Sequence, residues 1–260
     1  MGKKIILTGK TGYIAKALAG WLNARGLQTE LVSLRAGVPE GLEADVIVHA
    51  AALVHKDERE FSEQDYMRVN CALTEELARR CTVRQFIFLS TMAVYGLEGK
   101  VGKPLIVDRT TPVNPRTFYG KSKLAAEQAL RAALPPETKL AVIRPPMVYG
   151  PDCPGNYARL KKLAAWLPVF PYVDNSRSVL HINNLCALIL AIIQDQAEGM
   201  FFPQDSEPCN TSLLFKKLAQ EQGRKVLMPR LPAPLFRVPL SAANKLFGNL
   251  VYDKNISSFY

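Results

Sequence analysis

The chain has 260 residues, with 33 Lys and Arg against 23 Asp and Glu, a net charge of +10, and 48% apolar residues. That length and balance fit one α/β domain, alone or with a small appended lobe, and exclude a disordered, collagen-like or coiled-coil chain. The longest strongly apolar run, Leu185 to Ile193, is too short to span a bilayer, and MGKKIILTGK carries charge on both sides of a brief apolar stretch with no cleavage pattern. A cytoplasmic protein without membrane insertion is the expectation.

In chain order, KKIIL (Lys3 to Leu7) is a β-branched run leading into the turn TGKTG, and IAKALAGWLNARG then repeats apolar residues at helical spacing up to Gly26. TELVSL (Thr29 to Leu34) predicts a second strand and ADVIVHAAA (Ala44 to Ala52) a third, buried on both faces. MRVNCALTEELARRC predicts a helix, RQFIFLST (Arg84 to Thr91) a strand, KLAAEQALRAAL a helix and KLAVIRPP a strand. Continuous apolar strands alternating with helices indicate a doubly wound parallel sheet of the dinucleotide-binding α/β type. Past Gly150 the texture turns proline-rich in PDCPGNY, LPVFPYVDN and LMPRLPAPLFRVPL. Residues 1–150, with 178–199 returning as a strand and helix, are expected to form the first domain. Residues 151–177 and 200–260 are expected to form a smaller substrate lobe over the carboxyl ends of the strands, where such sheets bind ligands.

The basic excess raises the question of nucleic acid, since Lys and Arg on phosphates dominate that affinity. The positive residues stay in short pairs such as Lys3-Lys4, Arg79-Arg80, Lys161-Lys162 and Lys216-Lys217, with no aromatic interleaving, so no nucleic-acid partner is expected. Cys71, Cys81, Cys153, Cys186 and Cys209 are odd in number and widely spaced, and His49, His55 and His181 do not complete a ligand set with them, so neither a disulfide framework nor a metal is expected.

Gly9, Gly12 and Ala15 form GxxGxxA between the first strand and its helix. Glycine there lets the backbone approach a pyrophosphate, and the helix amino terminus offers unpaired N–H groups and a positive dipole. The cofactor cradle is therefore read as Gly9, Thr11, Gly12, Tyr13 and Ile14. The second strand ends Ser33-Leu34-Arg35, with no carboxylate for the ribose hydroxyls. A guanidinium suits a 2′-phosphate, so NADP(H) is favoured over NAD(H).

Tyr119 and Lys123, in YGKSK, stand one helical turn apart. Tyr157 and Lys161 repeat that spacing, but only Tyr119 has a hydroxyl partner upstream at the carboxyl end of a strand, Thr91 after FIFLS. A phenol with a reference pKa of about 10 becomes a base only when adjacent positive charge stabilises its anion. Lys123 is expected to supply that charge and to bond the nicotinamide ribose, while Thr91 hydrogen-bonds the reacting oxygen as hydride moves to or from the cofactor.

TGKTGYIA, VIVHAAA, STMAVYG, YGKSK, RPPMVYGP and SRSVLHINNL occur in the order seen in extended short-chain dehydrogenases/reductases of the nucleotide-sugar epimerase/dehydratase kind, which the chain resembles over nearly its whole length. Within that family it looks most like bacterial sugar reductases and epimerases of surface-polysaccharide synthesis. The resemblance implies Thr91, Tyr119 and Lys123 as the catalytic residues and Ala50 and Ala51 as small residues beside the cofactor. It further implies Asn70 and Arg177 on the substrate side, with Arg177 gripping a nucleotide diphosphate, and a homodimer built through the two long helices.

Several features depart from the family pattern. About nine residues separate the second strand from ADVIVHAAA, too few for the usual strand and helix, so the adenine-side wall should be abbreviated. Met147 stands where many relatives have asparagine, Ser178 and Asn183 replace residues that are often acidic, and the chain stops at SSFY where more of the lobe is expected. The expected activity is oxidoreduction at carbon 4 of a nucleotide sugar, UDP-linked, with a 4-keto reductase favoured. A 4-epimerase holding NAD tightly and a non-catalytic NAD(P)-binding sensor are the alternatives.

Overall fold

A computed structural model describes residues 3–54, 60–230 and 241–256. LPAPLFRVPL and the SSFY end, both singled out in the sequence, lie outside the described residues. The amino-terminal half runs β1 (Ile5–Thr8), α1 (Tyr13–Asn23), β2 (Thr29–Val32), β3 (Glu43–His49), α2 (Glu63–Met67), a π-turn (Arg68–Ala72), α3 (Leu73–Arg80), β4 (Thr82–Leu89) and a 3-10 turn (Met92–Tyr95). It continues with β5 (Ile106–Val107), α4 (Phe118–Ala133), β6 (Lys139–Ile143), β7 (Met147–Tyr149), α5 (Asn156–Ala164), β8 (Val179–His181) and α6 (Ile182–Asp195). The last elements are β9 (Gly199–Phe201), α7 (Thr211–Glu221), α8 (Ser241–Phe247) and β10 (Val251–Tyr252).

Two compact units divide the chain: residues 1–96, 112–146 and 181–203, and residues 97–111, 147–180 and 204–260. The first holds a six-stranded parallel sheet in the order β2-β1-β3-β4-β6-β9. After β2 the chain crosses to the other side of β1, so the strand order reverses between β1 and β3. That reversal opens a crevice at their carboxyl ends, where such sheets take ligands. Only β2 lies beyond β1 on that side, which is the abbreviated wall anticipated from the short connection.

Both faces of the sheet are buried, which is why IILT and VIVH read as unbroken runs. Ile6, Ile47, Phe86, Phe88 and Val142 pack one face against Leu77 and Ala78 of α3 and Ala126 and Leu130 of α4. The second unit has its own core of Leu160, Ala164, Phe170, Phe215, Leu218 and Phe247, with the Phe170 and Phe215 rings stacked at 3.8 Å.

Three local readings change. VLH does not rejoin the main sheet; β8 pairs with β7 in a separate ribbon, and α6 with β9 makes the return. β9 is three residues long and carries no periodicity of its own, so only its pairing with Ala141–Ile143 defines it. Residues 97–111, expected in the first domain, cluster with the second unit. The helix expected from Met67 begins at Glu63, because Ser62 and Asp65 form a reciprocal capping box, and a π-turn interrupts it at Arg68–Ala72.

Beneath the sheet's carboxyl end lies a buried ion pair. Arg144 Nε and Nη2 donate to the two carboxylate oxygens of Glu127 at 3.0 and 2.6 Å, Ser90 Oγ donates to the same carboxylate at 2.5 Å, and Arg144 Nη1 donates to the Tyr95 hydroxyl at 3.1 Å. Glu127 is fully buried and Arg144 nearly so. Removing one partner strands the other charge out of water, which costs about 3–5 kcal/mol. Glu127→Ala is therefore expected to lower stability by about that amount in urea denaturation. Joining it to Arg144→Met should restore a large part of the loss.

Candidate active site

The glycine turn lies at the carboxyl end of β1, on the β3 side of the reversal. Gly9 has φ +89°, and a Cβ there would stand 3.0–3.1 Å from backbone atoms of Ala50 and Ala51. Only glycine combines that left-handed backbone with so close a neighbour. Gly9 N donates to Val32 O and Gly12 N donates to Gly9 O, fixing the turn between β1 and β2. Gly12 caps α1 without a side-chain bond, and no acidic residue occupies the first turn of that helix. The N-cap of α1 thus supplies no side-chain acceptor, and the arrangement fits the pyrophosphate of a dinucleotide. Arg35 Nη2 donates to Thr11 Oγ1 at 3.3 Å, which sets the guanidinium at the edge of the same turn.

Thr91 follows β4 and caps the 3-10 turn, its Oγ1 accepting from Ala93 N at 3.1 Å. The start of α4 is packed hard on that turn: a Cβ on Gly120 would lie 2.7 Å from Ala93 O. This approach brings Tyr119 to Thr91, which hydrogen-bonds its phenol. Burial pushes the phenol up to about 12, with the Thr91 bond opposing. Lys123, one turn on, is 1% exposed, and its ammonium sits 4.0 Å over the Phe88 ring. Burial pulls it down to about 7, with Glu127 opposing. Burial thus disfavours charge on both groups, and the phenol is neutral in this structure.

A buried chain of hydrogen bonds joins the turn to this helix. Thr74 Oγ1 donates to Asn70 O at 2.8 Å, so it accepts from His49 Nε2–H at 2.8 Å. His49 Nδ1 is then bare and accepts from Thr8 Oγ1 at 2.7 Å, and Thr8 Oγ1 in turn accepts from Ala51 N at 3.4 Å. The assignment follows from donor counting. On the far side Asn70 Oδ1 accepts from Leu53 N at 2.6 Å, and its Nδ2 donates to Leu53 O at 3.1 Å and Ser122 Oγ at 3.0 Å. Ser122 Oγ donates to Tyr119 O at 2.9 Å.

Two of the residues expected on the substrate side are otherwise engaged. Asn70 is fully buried with both ends of its amide bonded to protein, and it braces the π-turn against α4. Arg177 Nη1 donates to Lys245 O and Gly248 O, each at 3.0 Å, and so satisfies the carboxyl end of α8. A guanidinium two residues downstream of the proline-rich LPVFPYVDN looks the same in sequence whether it meets a carbonyl or a phosphate. Sequence reasoning missed His49, Thr8, Thr74, Ser122 and Glu127. Their signal is a polar residue inside an otherwise apolar run, as at the end of VIVH.

Residues 33–201 match the NAD dependent epimerase/dehydratase family. The chain is 31% identical over 98% of its length to the UDP-glucose 4-epimerase of Vibrio cholerae, covering 84% of that protein. It is 29% identical over 76% of its length to a dTDP-4-dehydrorhamnose reductase of Mycolicibacterium smegmatis, covering 62% of it. Among solved structures it shares the fold of dTDP-4-dehydrorhamnose reductase from Bacillus anthracis in complex with NADP (TM-score 0.70, 18% identity, 91% of this chain and 86% of that one). It shares it also with WbmG from Bordetella bronchiseptica in complex with NAD and UDP (TM-score 0.72, 18% identity, 97% and 85%). The chain belongs to the NAD dependent epimerase/dehydratase family and is an NAD(P)-dependent enzyme. No described helix is long and apolar enough to cross a membrane.

The imidazole of His49 makes the fold sensitive to acid. Burial, then the nearby Lys123 charge, pulls it down to about 3 from an ordinary 6.5. Between those values the unfolded chain takes a proton that the folded chain refuses, so stability falls as pH drops. His49→Gln is expected to be less stable than the parent at pH 7.5. From pH 7.5 to 4.5 it should lose about 2–3 kcal/mol less than the parent does, read from urea midpoints at the two pH values.

Proposed function

We propose that this enzyme is an NADPH-dependent reductase of a 4-keto nucleotide sugar, UDP-linked, working in the cytoplasm as a homodimer. The observation that carries the reading is Arg35, whose guanidinium stands 3.3 Å from Thr11 at the edge of the glycine turn, where ribose hydroxyls would call for a carboxylate. A guanidinium there favours a 2′-phosphate. The glycine turn, with Gly9, Thr11, Gly12, Tyr13 and Ile14 facing Ala50 and Ala51, would hold the pyrophosphate.

Bound NADPH supplies hydride to the carbonyl carbon. The protein's part is the proton. A neutral Tyr119 phenol is the form able to give a proton to a carbonyl oxygen, and its raised pKa keeps it in that form at neutral pH. Thr91 would hydrogen-bond the same oxygen. The phenolate left behind would then be stabilised by the charged form of Lys123 one helical turn away.

The second reading is a UDP-sugar 4-epimerase retaining NAD, favoured by the near full-length likeness to the Vibrio cholerae epimerase. Purified protein distinguishes them. Stoichiometric bound NAD with epimerisation of UDP-glucose or UDP-N-acetylglucosamine would overturn the reductase, whereas turnover of UDP-4-keto sugars with NADPH supports it. Tyr119→Phe is expected to lower kcat at least about 100-fold without changing NADPH affinity, measured by single-turnover kinetics and fluorescence titration. Arg35→Asp should raise KM for NADPH about 10- to 100-fold and leave KM for NADH within about threefold.

A further inference from the structure

The second unit carries an exposed apolar patch ringed by positive charge. α5 is followed by Ala165 and Trp166, and Arg224 donates to both their carbonyls, to that of Trp166 at 3.1 Å. Phe170 N donates to Leu227 O at 3.0 Å and Leu227 N to Pro168 O at 2.9 Å, so Val169 and Leu227 stand side by side in a parallel bridge. Farther along, Tyr172 bridges Arg230, whose guanidinium lies 5.4 Å over the Tyr172 ring. Strand alternation turns Phe170 into the core and leaves the neighbouring face uncovered. On that face Trp166 is 61% exposed, Val169 47% and Leu227 71%.

The charge around the patch is one-sided. Residues 153–173 and 222–230 contain six Lys and Arg and no Asp or Glu, more than half of the chain's net +10. Lys161, Lys162, Lys225 and Arg230 are exposed, and α7, packed against α5, adds exposed Lys216 and Lys217; exposed Asp152, Asp174 and Glu221 flank the two segments in sequence. In sequence these are scattered pairs, and the bridge between residues 168–172 and 227–230 gathers them. Tryptophan and leucine amid lysines match the interfacial layer of a bilayer, where rings sit at headgroup depth and cations meet anionic lipid. Each such cation strengthens binding to an anionic surface roughly fivefold.

We propose that this face docks the enzyme on an anionic phospholipid bilayer, with Trp166, Val169 and Leu227 in the headgroup layer and the surrounding lysines on lipid phosphates. The proposal concerns peripheral binding and is independent of the reaction assigned above. The test is co-sedimentation with phosphatidylglycerol/phosphatidylethanolamine vesicles against pure phosphatidylcholine vesicles, together with Trp166 emission in a Trp21→Phe background. Expected are binding to the anionic vesicles with a blue shift of Trp166, release by 0.5 M salt, and weak binding to phosphatidylcholine. Lys161→Gln/Lys162→Gln/Lys225→Gln should weaken binding at least tenfold and Trp166→Ala several-fold, with unchanged circular dichroism. Lys4→Gln/Arg79→Gln/Arg84→Gln removes as much charge elsewhere and should bind like the parent. Equal binding by both triple variants, equal binding to both lipids, an unshifted Trp166, or no binding to anionic vesicles at low salt each overturns the proposal, and the last outcome favours an acidic protein partner.

Discussion

One imidazole that must stay uncharged holds together the parts of this site. His49 lies at the end of β3 with both ring nitrogens bonded, to Thr8 on β1 and Thr74 on α3, and every side chain in that chain is buried. A buried donor or acceptor without a partner costs about 1–3 kcal/mol, so each link constrains the next. Thr8 is thereby held against the Ala51 amide beside Gly9, and Thr74 against the Asn70 carbonyl. Asn70 then reaches Ser122 between Tyr119 and Lys123. The glycine turn and the start of α4 are registered to one another through buried polar contacts.

The π-turn at Arg68–Ala72 belongs to the same constraint. An extra residue in the turn rotates α2 relative to α3, so that Asn70 faces both the Leu53 backbone and α4. Without it a regular helix through residues 63–80 would carry the amide on a different heading. Below, the Glu127–Arg144 pair sets the electrostatic floor. Glu127 stands one turn beyond Lys123 and opposes the loss of its charge, while Arg144 neutralises the carboxylate that burial would otherwise expel. Burial outweighs Glu127, so Lys123 is drawn down to about 7.

The fold class, the glycine turn and the placement of Tyr119 near Thr91 and Lys123 were legible in the amino-acid sequence. Gly9, Gly12 and Ala15 follow a strand and open a helix, and a bend that tight leaves few alternatives. Tyr119 and Lys123 share a helix face by spacing alone, and Thr91 ends a strand in a sheet type that presents ligand groups there. The shortened adenine side was legible from a count of residues, because a connection of about nine cannot contain a strand and a helix. Asn70 and Arg177 show where the local signal ends. Their residue types are equally suited to bonding substrate and to bonding backbone, and the choice depends on which carbonyls and amides the rest of the chain brings near.

The sequence by itself determined the parallel sheet, the dinucleotide turn and the Tyr and Lys pair, because periodicity, glycine and helical spacing are local properties of a chain. Tertiary structure alone decided the neutral His49, the strongly shifted Lys123, the allotment of Arg177 to the end of α8, and the gathering of scattered lysines around Trp166. Each of those depends on groups far apart in sequence, on the low polarity of the space they share, and on the number of bonding partners left over once the backbone has been satisfied.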